Sequence, residues 1–372
     1  MINIMPNRFP INVVAFSAAL LLASCKDDQE AQLPDQPYDD GVLVINGGNF
    51  FQNNGTISYL QRNSNIVQEN IFNVANGTAS LPPADGRIEG YAEASETGVI
   101  IFDNDTPGAD KLVFVDASTF KKKSELSAPS VENPRAIVMI NERKAYVTNW
   151  DVLNEDWTYK DGFITIIDPE NGEESGKFHV GQGPEEMVIY QNRVFVGRAP
   201  WTSHELAVID TNTDQVIASI PFNSWPNPIG VDVNGKLWVK ERNNLHKINP
   251  TSLEVEQTVQ VGNDSNKSIG AATLTADKNH LFVVLSYSNE ETNWEEVGDT
   301  YLFNIAETQI NIENPVLRRV FTGLAADPIS QQIYGGITPS LTQAGYVLRL
   351  SPTGELLDSV KVEISPEGFY FK

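Results

Sequence analysis

The sequence predicts an all-β fold: a seven-bladed β-propeller whose ring is closed by pairing of its N- and C-terminal strands. Short runs of β-branched and aromatic residues recur along the 372-residue chain, separated by Gly, Asn, Asp or Pro. Four such runs make one copy of a repeat. The copies begin at intervals of roughly 40 to 50 residues, which is the period of a four-stranded propeller blade.

The clearest copy places its four strands at residues 134–140, 144–149, 162–168 and 175–180. Its third strand ends in the turn Asp168-Pro169-Glu170-Asn171, and later copies carry similar turns. Asp and Asn open such turns because their side chains accept hydrogen bonds from backbone amides two residues further on. The innermost strands of successive blades are expected near Ile88, Pro134, Pro184, Pro228, Ile269, Gly323 and Pro366.

The strand near Pro366 has no following chain to complete its blade. Residues 42–46, 56–61 and 66–72 precede the first blade and are predicted to supply the three missing outer strands. This pairing removes an exposed edge strand, which would otherwise favour aggregation. Seven blades follow from this count, with six and eight as the alternatives.

The N-terminal segment predicts a lipoprotein signal peptide. Arg8 supplies a positive charge, residues 11–22 form an apolar run too short to span a bilayer, and small residues precede Cys25, the only cysteine. Residues 1–24 are therefore predicted to be the signal peptide, residues 25–40 a lipidated acidic tether, and residues 41–372 the propeller domain. The alternative for Cys25 is a buried free thiol.

The run Lys26-Asp27-Asp28-Gln29-Glu30 resembles the acidic export signal that places Bacteroidetes lipoproteins on the outer face of the outer membrane. The resemblance implies a lipid-anchored outer-membrane protein that faces the cell exterior. A solvated tether explains the same polar run equally well.

The charge balance limits the partners of the chain. It carries 26 Lys and Arg against 49 Asp and Glu, a net charge of −23. Nucleic acid is excluded as a ligand, because phosphate backbones require clustered Lys and Arg. Anionic lipid also repels an acidic surface, so attachment to the membrane is expected through the lipid anchor.

Three segments resemble a known family. Tyr146-Val147-Thr148-Asn149 is the signature of YVTN-type propellers, and residues 42–50 and 365–371 resemble the two ends of a Bacteroidetes surface lipoprotein family built on that propeller. Its BtuG-type members capture cobalamin and pass it to a TonB-dependent outer-membrane transporter. The resemblance therefore implies a binding protein rather than an enzyme, with a corrinoid as ligand, a TonB-dependent transporter as partner and no cofactor.

Most of the tryptophans map to loops on one face of the predicted propeller, around the mouth of its central channel. This face carries the loops that join second to third strands and the loops that enter the innermost strands. Rigid aromatic and polar side chains together are typical of a recognition surface. The alternative is that these loops bury their own aromatic residues, among them Trp157. The predicted ligand-binding residues are Asn49, Phe50, Asp103, Arg135, Asn149, Trp150, Glu185, Arg198, Trp201, Trp225, Lys240, Arg242, Tyr287 and Trp294.

Catalytic and metal sites are not predicted. The four histidines are scattered, and none pairs with another at metal-ligand spacing. The run from Asp103 to Asp110 resembles a calcium loop only superficially, because Pro107 stands at a ligand position and no Glu follows at the twelfth place. Two other functions stay open: a propeller that docks a protein partner, and an envelope hydrolase or lyase that depends on His204.

Overall fold

The computed structural model describes residues 38–80, 83–156 and 158–372. The predicted signal peptide, Cys25, the tether up to residue 37 and Trp157 lie outside this part of the chain. The described residues form seven small antiparallel sheets arranged as the blades of a propeller. The predicted fold is confirmed.

The first three strands belong to the last blade, blade 7. They are β1 (Gly41–Asn46), β2 (Thr56–Gln61) and β3 (Val67–Gln68), with a 3-10 turn at Phe50–Gln52 and a short helix, α1, at Ile71–Ala75.

Blades 1 and 2 each contain four strands, β4–β7 and β8–β11. They are Arg87–Ala94, Thr97–Asp103, Lys111–Asp116 and Lys122–Ser127, followed by Pro134–Asn141, Lys144–Asn149, Gly162–Asp168 and Glu173–Gly181. Blades 3 and 4 contain β12–β15 and β16–β19. These strands are Pro184–Tyr190, Arg193–Arg198, Glu205–Asp210 and Gln215–Pro221, followed by Asn227–Val231, Leu237–Glu241, Asn244–Ile248 and Val255–Gln260.

Blade 5 contains β20–β22 and blade 6 contains β23–β26, and β27 follows. Their bounds are Ser268–Leu274, His280–Tyr287 and Val297–Asn304, with a 3-10 turn at Glu290–Thr292, then Gly323–Ala326, Ile333–Ile337, Ala344–Leu350 and Leu356–Ile364, and finally Pro366–Phe371.

Closure of the ring depends on β27. It is the innermost strand of blade 7, which has the order β27-β1-β2-β3, and Val44 pairs with Phe369 in the antiparallel register. On its other sides β27 contacts β23 and β4, so each innermost strand lies between two others. The approach to blade 6 is close: a Cβ on Gly323 would lie 2.0 Å from the carbonyl oxygen of Glu367. Only glycine fits at this position.

Two outer strands differ from the sequence prediction. The segment 66–72 forms only the two-residue β3, because Asn70 takes a left-handed backbone conformation with φ 50° and the chain then turns into α1. Ile71 and Phe72 consequently point into the core instead of extending the strand. Blade 5 has three strands in the described residues, and its fourth position is replaced by an isolated bridge between Thr300 and Leu317.

The hydrophobic core lies between neighbouring blades. Val99 and Ile101 of blade 1 pack with Ala145 and Val147 of blade 2, and all four are fully buried. Strands that are covered on both faces need apolar residues on both faces. This is why the second strands read as continuous apolar runs.

The two faces of the propeller carry different connections. We call the face with the loops from second to third strands the front face, and the opposite face the back face. Tyr38 lies on the back face, where its ring packs against Tyr59 and Phe120 at centroid distances of 5.1 and 5.5 Å. The Lys372 amide donates to the Gly41 carbonyl at 3.0 Å, so both ends of the propeller lie on the back face.

Within the described residues, no helix has the length and apolar character needed to cross a bilayer.

Candidate functional site

A cleft of about 750 Å³ opens on the front face. We call it the aromatic cleft. Its walls come from the loops that follow β1, β5 and β9, which belong to the neighbouring blades 7, 1 and 2. Leu341, from the corresponding loop of blade 6, completes one edge. The size is in the range of small-molecule binding sites.

Aromatic rings form two walls of the cleft. Phe50 and Phe51 meet edge to face at a centroid distance of 5.4 Å. Trp150 meets Tyr159 in the same manner at 4.9 Å, and the guanidinium of Arg135 lies 4.3 Å from the centre of a Trp150 ring. Cation–π contact of this kind holds both side chains in place. Phe51 is 81 % exposed and therefore available for contact.

Asn49 shapes the loop that presents these phenylalanines. Its side-chain oxygen accepts a hydrogen bond from the Phe51 backbone amide at 3.1 Å and caps the 3-10 turn, and its backbone amide donates to the side-chain oxygen of Asn54 at 2.6 Å. Asn53 then leaves the turn in a left-handed conformation. Asn residues favour such local backbone contacts. Asn49 therefore positions Phe50 and Phe51 at the wall of the cleft.

Arg135 is the centre of the charged floor. Its Nη1 lies 3.1 Å from Glu89 and 3.1 Å from Asp103, and its Nε lies 3.8 Å from Glu185. Burial by itself would lower the pKa of Arg135, but the surrounding carboxylates outweigh it and raise the pKa above its usual value. The guanidinium thus stays charged and compensates three partly buried acids.

Arg87 extends this floor toward the channel. It pairs with Glu89 at 2.7 Å and also with Glu367 of the closing strand. A second cavity of about 390 Å³ lies against the innermost strands here, and Arg87, Glu89 and Arg135 border both cavities. The aromatic cleft and the channel mouth therefore share one ion-pair network.

Two acids of the network titrate far above their usual range. Burial raises the pKa of Asp103 to about 8, with Glu89 and Asp110 adding to the rise and Arg135 opposing it. Burial also raises the pKa of Glu185 to about 7, again against the effect of Arg135. Near neutral pH both carboxyls are therefore partly protonated, and their charge responds to any charged group placed beside them.

These shifts predict that the protein loses stability as the pH rises from about 5 to about 8. Asp and Glu in the unfolded chain titrate near pH 4, so the folded state holds the extra protons in this window and releases them as the pH rises. Urea unfolding at several pH values measures the slope. Asp103→Asn should make it shallower.

Asp168→Asn is the control for this pH dependence. Arg143 lowers the pKa of the Asp168 carboxyl, which therefore titrates below the window. Its removal should leave the slope between about pH 5 and 8 unchanged. A wild-type stability that is constant or rises over this range would contradict the prediction.

Five of the predicted ligand-binding residues line the aromatic cleft. They are Asn49, Phe50, Asp103, Arg135 and Trp150. Glu185 borders the adjoining channel cavity. Lys240 lies nearby in β17, where its ammonium donates to the Gly270 carbonyl at 2.6 Å and burial lowers its pKa.

Two predicted residues lie in the scaffold. Asn149 is fully buried, and its amide nitrogen donates to the Val147 carbonyl at 3.0 Å and to the Thr165 hydroxyl at 3.1 Å. The last residue of the YVTN signature thus ties the second strand of blade 2 to the third. Arg198 is also fully buried, and it donates to the carbonyls of Val180 and Glu205. Neither side chain has surface left for a ligand.

The remaining predicted residues lie elsewhere on the front face. Trp201 and Trp225 pack together at 5.6 Å, and Arg242 donates to the Ser265 carbonyl at 2.8 Å. Tyr287 lies under the ammonium of Lys267, and Trp294 is 68 % exposed. The structure does not bring these side chains to the aromatic cleft.

Sequence reasoning missed several residues of the cleft. Arg87 and Glu89 open β4 as Arg135 opens β8, so alignment of the blade starts could have found them. Asp110 and Glu132 follow no comparable pattern, and Leu341 comes from a distant loop. Among the described residues, no group of three or more His, Cys, Asp or Glu is placed to hold a metal ion.

Comparison with known proteins identifies the family. Residues 40–371 match the model of DUF5074, described as a domain of unknown function. The chain belongs to the DUF5074 family. A search of the curated proteins gives no match to the sequence.

Solved structures similar to this DUF5074 chain are propellers of diverse kinds. A quinonprotein alcohol dehydrogenase-like protein from Bacteroides thetaiotaomicron has a TM-score of 0.62 at 14% identity, covering 91% of this chain and 79% of that one. Hydrazine synthase from Kuenenia stuttgartiensis has a TM-score of 0.54 at 17% identity, covering 75% and 88%. The Pan2 WD40 domain from Neurospora crassa has a TM-score of 0.52 at 11% identity, covering 76% and 81%. At these identities the likeness shows the fold alone.

Proposed function

We propose that this DUF5074 protein binds a small amphipathic molecule in the aromatic cleft. The observation that carries the proposal is the cleft itself: a cavity of about 750 Å³ with aromatic walls and a charged floor on one face of a rigid propeller. Ligand sites generally combine apolar walls with a few convergent polar groups. A binding role, rather than catalysis, is what this arrangement supports best.

Cobalamin or a related corrinoid is the first ligand to test. The resemblance to BtuG-type lipoproteins supports it, as do the aromatic rings, which could cover part of a large flat macrocycle. In the same proposal the protein is anchored to the outer membrane through Cys25, faces the cell exterior and passes its ligand to a TonB-dependent transporter.

Isothermal titration of cyanocobalamin into the purified protein tests the ligand and its site. Phe51→Ala should weaken binding about tenfold, since it removes an exposed ring from the wall of the cleft. Trp294→Ala is the matched control: it removes another exposed front-face ring that does not line the cleft, and the affinity should stay the same.

Two results would count against the corrinoid. Absence of binding heat would show that cobalamin is not the ligand. Equal losses of affinity in Phe51→Ala and Trp294→Ala would show that the cleft is not its binding site.

A docked protein is the second candidate function. Phe51, Trp201 and Trp294 are each more than two-thirds exposed on the front face. Trp201 and Trp294 also have φ 63°, a left-handed backbone conformation that costs free energy for residues other than glycine. Large exposed aromatics of this kind frequently mark protein interfaces. Capture of a defined outer-membrane transporter by the wild type, and its loss in Trp201→Ala with Trp294→Ala, would support this function.

A further inference from the structure

One carboxylate oxygen in the floor of the aromatic cleft lacks a hydrogen-bond partner among the described residues. Asp103 is 4 % exposed, and its Oδ2 lies 3.1 Å from Nη1 of Arg135. Its Oδ1 is buried and accepts nothing from the described chain. A buried polar atom of this kind costs free energy unless another group supplies the missing hydrogen bond.

The neighbouring carboxylate of Asp110 is engaged by two backbone amides and, when Asp103 is protonated, by a side-chain hydrogen bond from the Asp103 carboxyl. Asp110 Oδ1 accepts from the backbone amide of Asn104 at 2.7 Å and its Oδ2 from the backbone amide of Asn133 at 2.8 Å. Asp110 therefore stabilises the two loops that it bonds to, which form part of the cleft. Once Asp103 is ionised and the hydrogen bond to Asp110 is lost, Asp103 Oδ1 is the acceptor that this part of the floor leaves for a ligand.

Both guanidiniums of the floor are ion-paired with carboxylates, and the buried Nε of Arg135, 3.8 Å from Glu185, has no hydrogen-bond partner among the described residues. Arg87 pairs with Glu89 and Glu367, and Arg135 with Glu89 and Asp103. Carboxylates outnumber guanidiniums around the cleft. The acids that line it are Glu89, Asp103, Asp105, Asp110, Glu132 and Glu155. This excess opposes a carboxylate or phosphate and favours a group that donates hydrogen bonds.

A further unpartnered group lies in the wall. The indole N–H of Trp150 is buried and has no acceptor among the described residues. The cleft thus combines a buried acceptor, a buried donor and apolar rings. Such a lining fits an aromatic or alicyclic molecule that carries a nitrogen function.

We propose that the floor of the aromatic cleft is a subsite for an N–H-bearing group, a primary amide or a protonated amine, whose hydrogen is accepted by Asp103 Oδ1. The apolar part of the same ligand lies between Phe50 and Phe51 on one side and Trp150 on the other. This inference rests on the proposed small-molecule function and names the chemistry that the site selects.

Three probes with one ring system test the subsite: 2-naphthylmethylamine, 2-naphthamide and 2-naphthoate. Titration calorimetry should show that the amine and the amide bind and that the carboxylate binds about tenfold more weakly or worse. Asp103→Asn should weaken the amine about tenfold. Asp264→Asn is the matched control, since it removes an exposed acid that does not line the cleft, and it should change the affinity little.

The pH dependence distinguishes the two nitrogen groups. The amine requires ionised Asp103, whose pKa is raised to about 8 by burial, Glu89 and Asp110 against Arg135 and Arg87. Its affinity should therefore rise from about pH 6 to about pH 8. The neutral amide should show a flatter profile. In Asp103→Asn the rise for the amine should disappear.

Three results would overturn the subsite: naphthoate binding as tightly as the amine, no effect of Asp103→Asn on either nitrogen probe, or no binding of any probe at millimolar concentration. Its failure is separable from failure of the corrinoid proposal. Probe binding without cobalamin binding removes only the corrinoid, whereas cobalamin binding without probe binding removes only the subsite.

Discussion

Deletion of residues 366–372 is expected to leave little soluble, folded protein. The deletion removes β27, which supplies the innermost strand of blade 7 and contacts β23 and β4. Without it the buried strand β1 becomes an edge, and Val42 and Val44 lose the cover of Phe369 and Phe371. Exposed, apolar edge strands aggregate. Size-exclusion chromatography and circular dichroism of the truncated chain measure the outcome.

A circular permutant provides the control for this deletion. It keeps β27 but joins Lys372 to Tyr38 through a short linker and opens the chain between α1 and β4. The Lys372 amide already contacts the Gly41 carbonyl, so the new connection needs little length. The permutant should fold, because it retains every strand of the ring. Wild-type stability in the truncated chain would contradict the role assigned to β27.

Arg135→Ala is expected to lower the free energy of unfolding by about 3 to 5 kcal/mol. The guanidinium compensates Glu89, Asp103 and Glu185, and its removal leaves these carboxyls buried together without their central cation. It also removes the contact that holds Trp150 at the wall of the cleft. Urea unfolding at about pH 9, above the pKa values of Asp103 and Glu185, gives the loss directly.

Arg143→Ala is the matched control for Arg135→Ala. Arg143 also pairs with two acids, Asp168 and Glu170, but its side chain is 62 % exposed. Solvent screens such pairs, so the loss should stay below about 1 kcal/mol. Similar losses in the two variants would show that the ion-pair network of the floor contributes no more than a surface pair.

The blade architecture could be predicted because it repeats. Each innermost strand begins within a residue or so of the position expected from the pattern, from Arg87 in blade 1 to Pro366 in blade 7. The exceptions have local causes that a repeat does not reveal. The left-handed conformation of Asn70 turns the chain away and keeps β3 short. In blade 5 the described residues form a single bridge between Thr300 and Leu317 where the repeat predicts a fourth strand.

The cleft could be predicted only in part, because its walls meet through the closure of the ring. Phe50 and Trp150 are far apart in sequence, and they share a cavity since blades 7, 1 and 2 are neighbours. Loop residues could be assigned to the front face from topology. Burial could not be assigned in this way: Asn149 and Arg198 lie at the front ends of second strands, yet their hydrogen bonds are all made to the scaffold.

The position of both ends of the propeller on the back face also has a practical consequence. Tyr38 is packed against Tyr59 and Phe120, and Lys372 is bonded to Gly41, on the side away from the aromatic cleft. A purification tag, a fluorescent fusion or a surface coupling attached to either end of the propeller therefore starts on the side away from the binding site. The molecule can be immobilised by its C-terminus on a sensor chip with the cleft turned toward the flowing analyte.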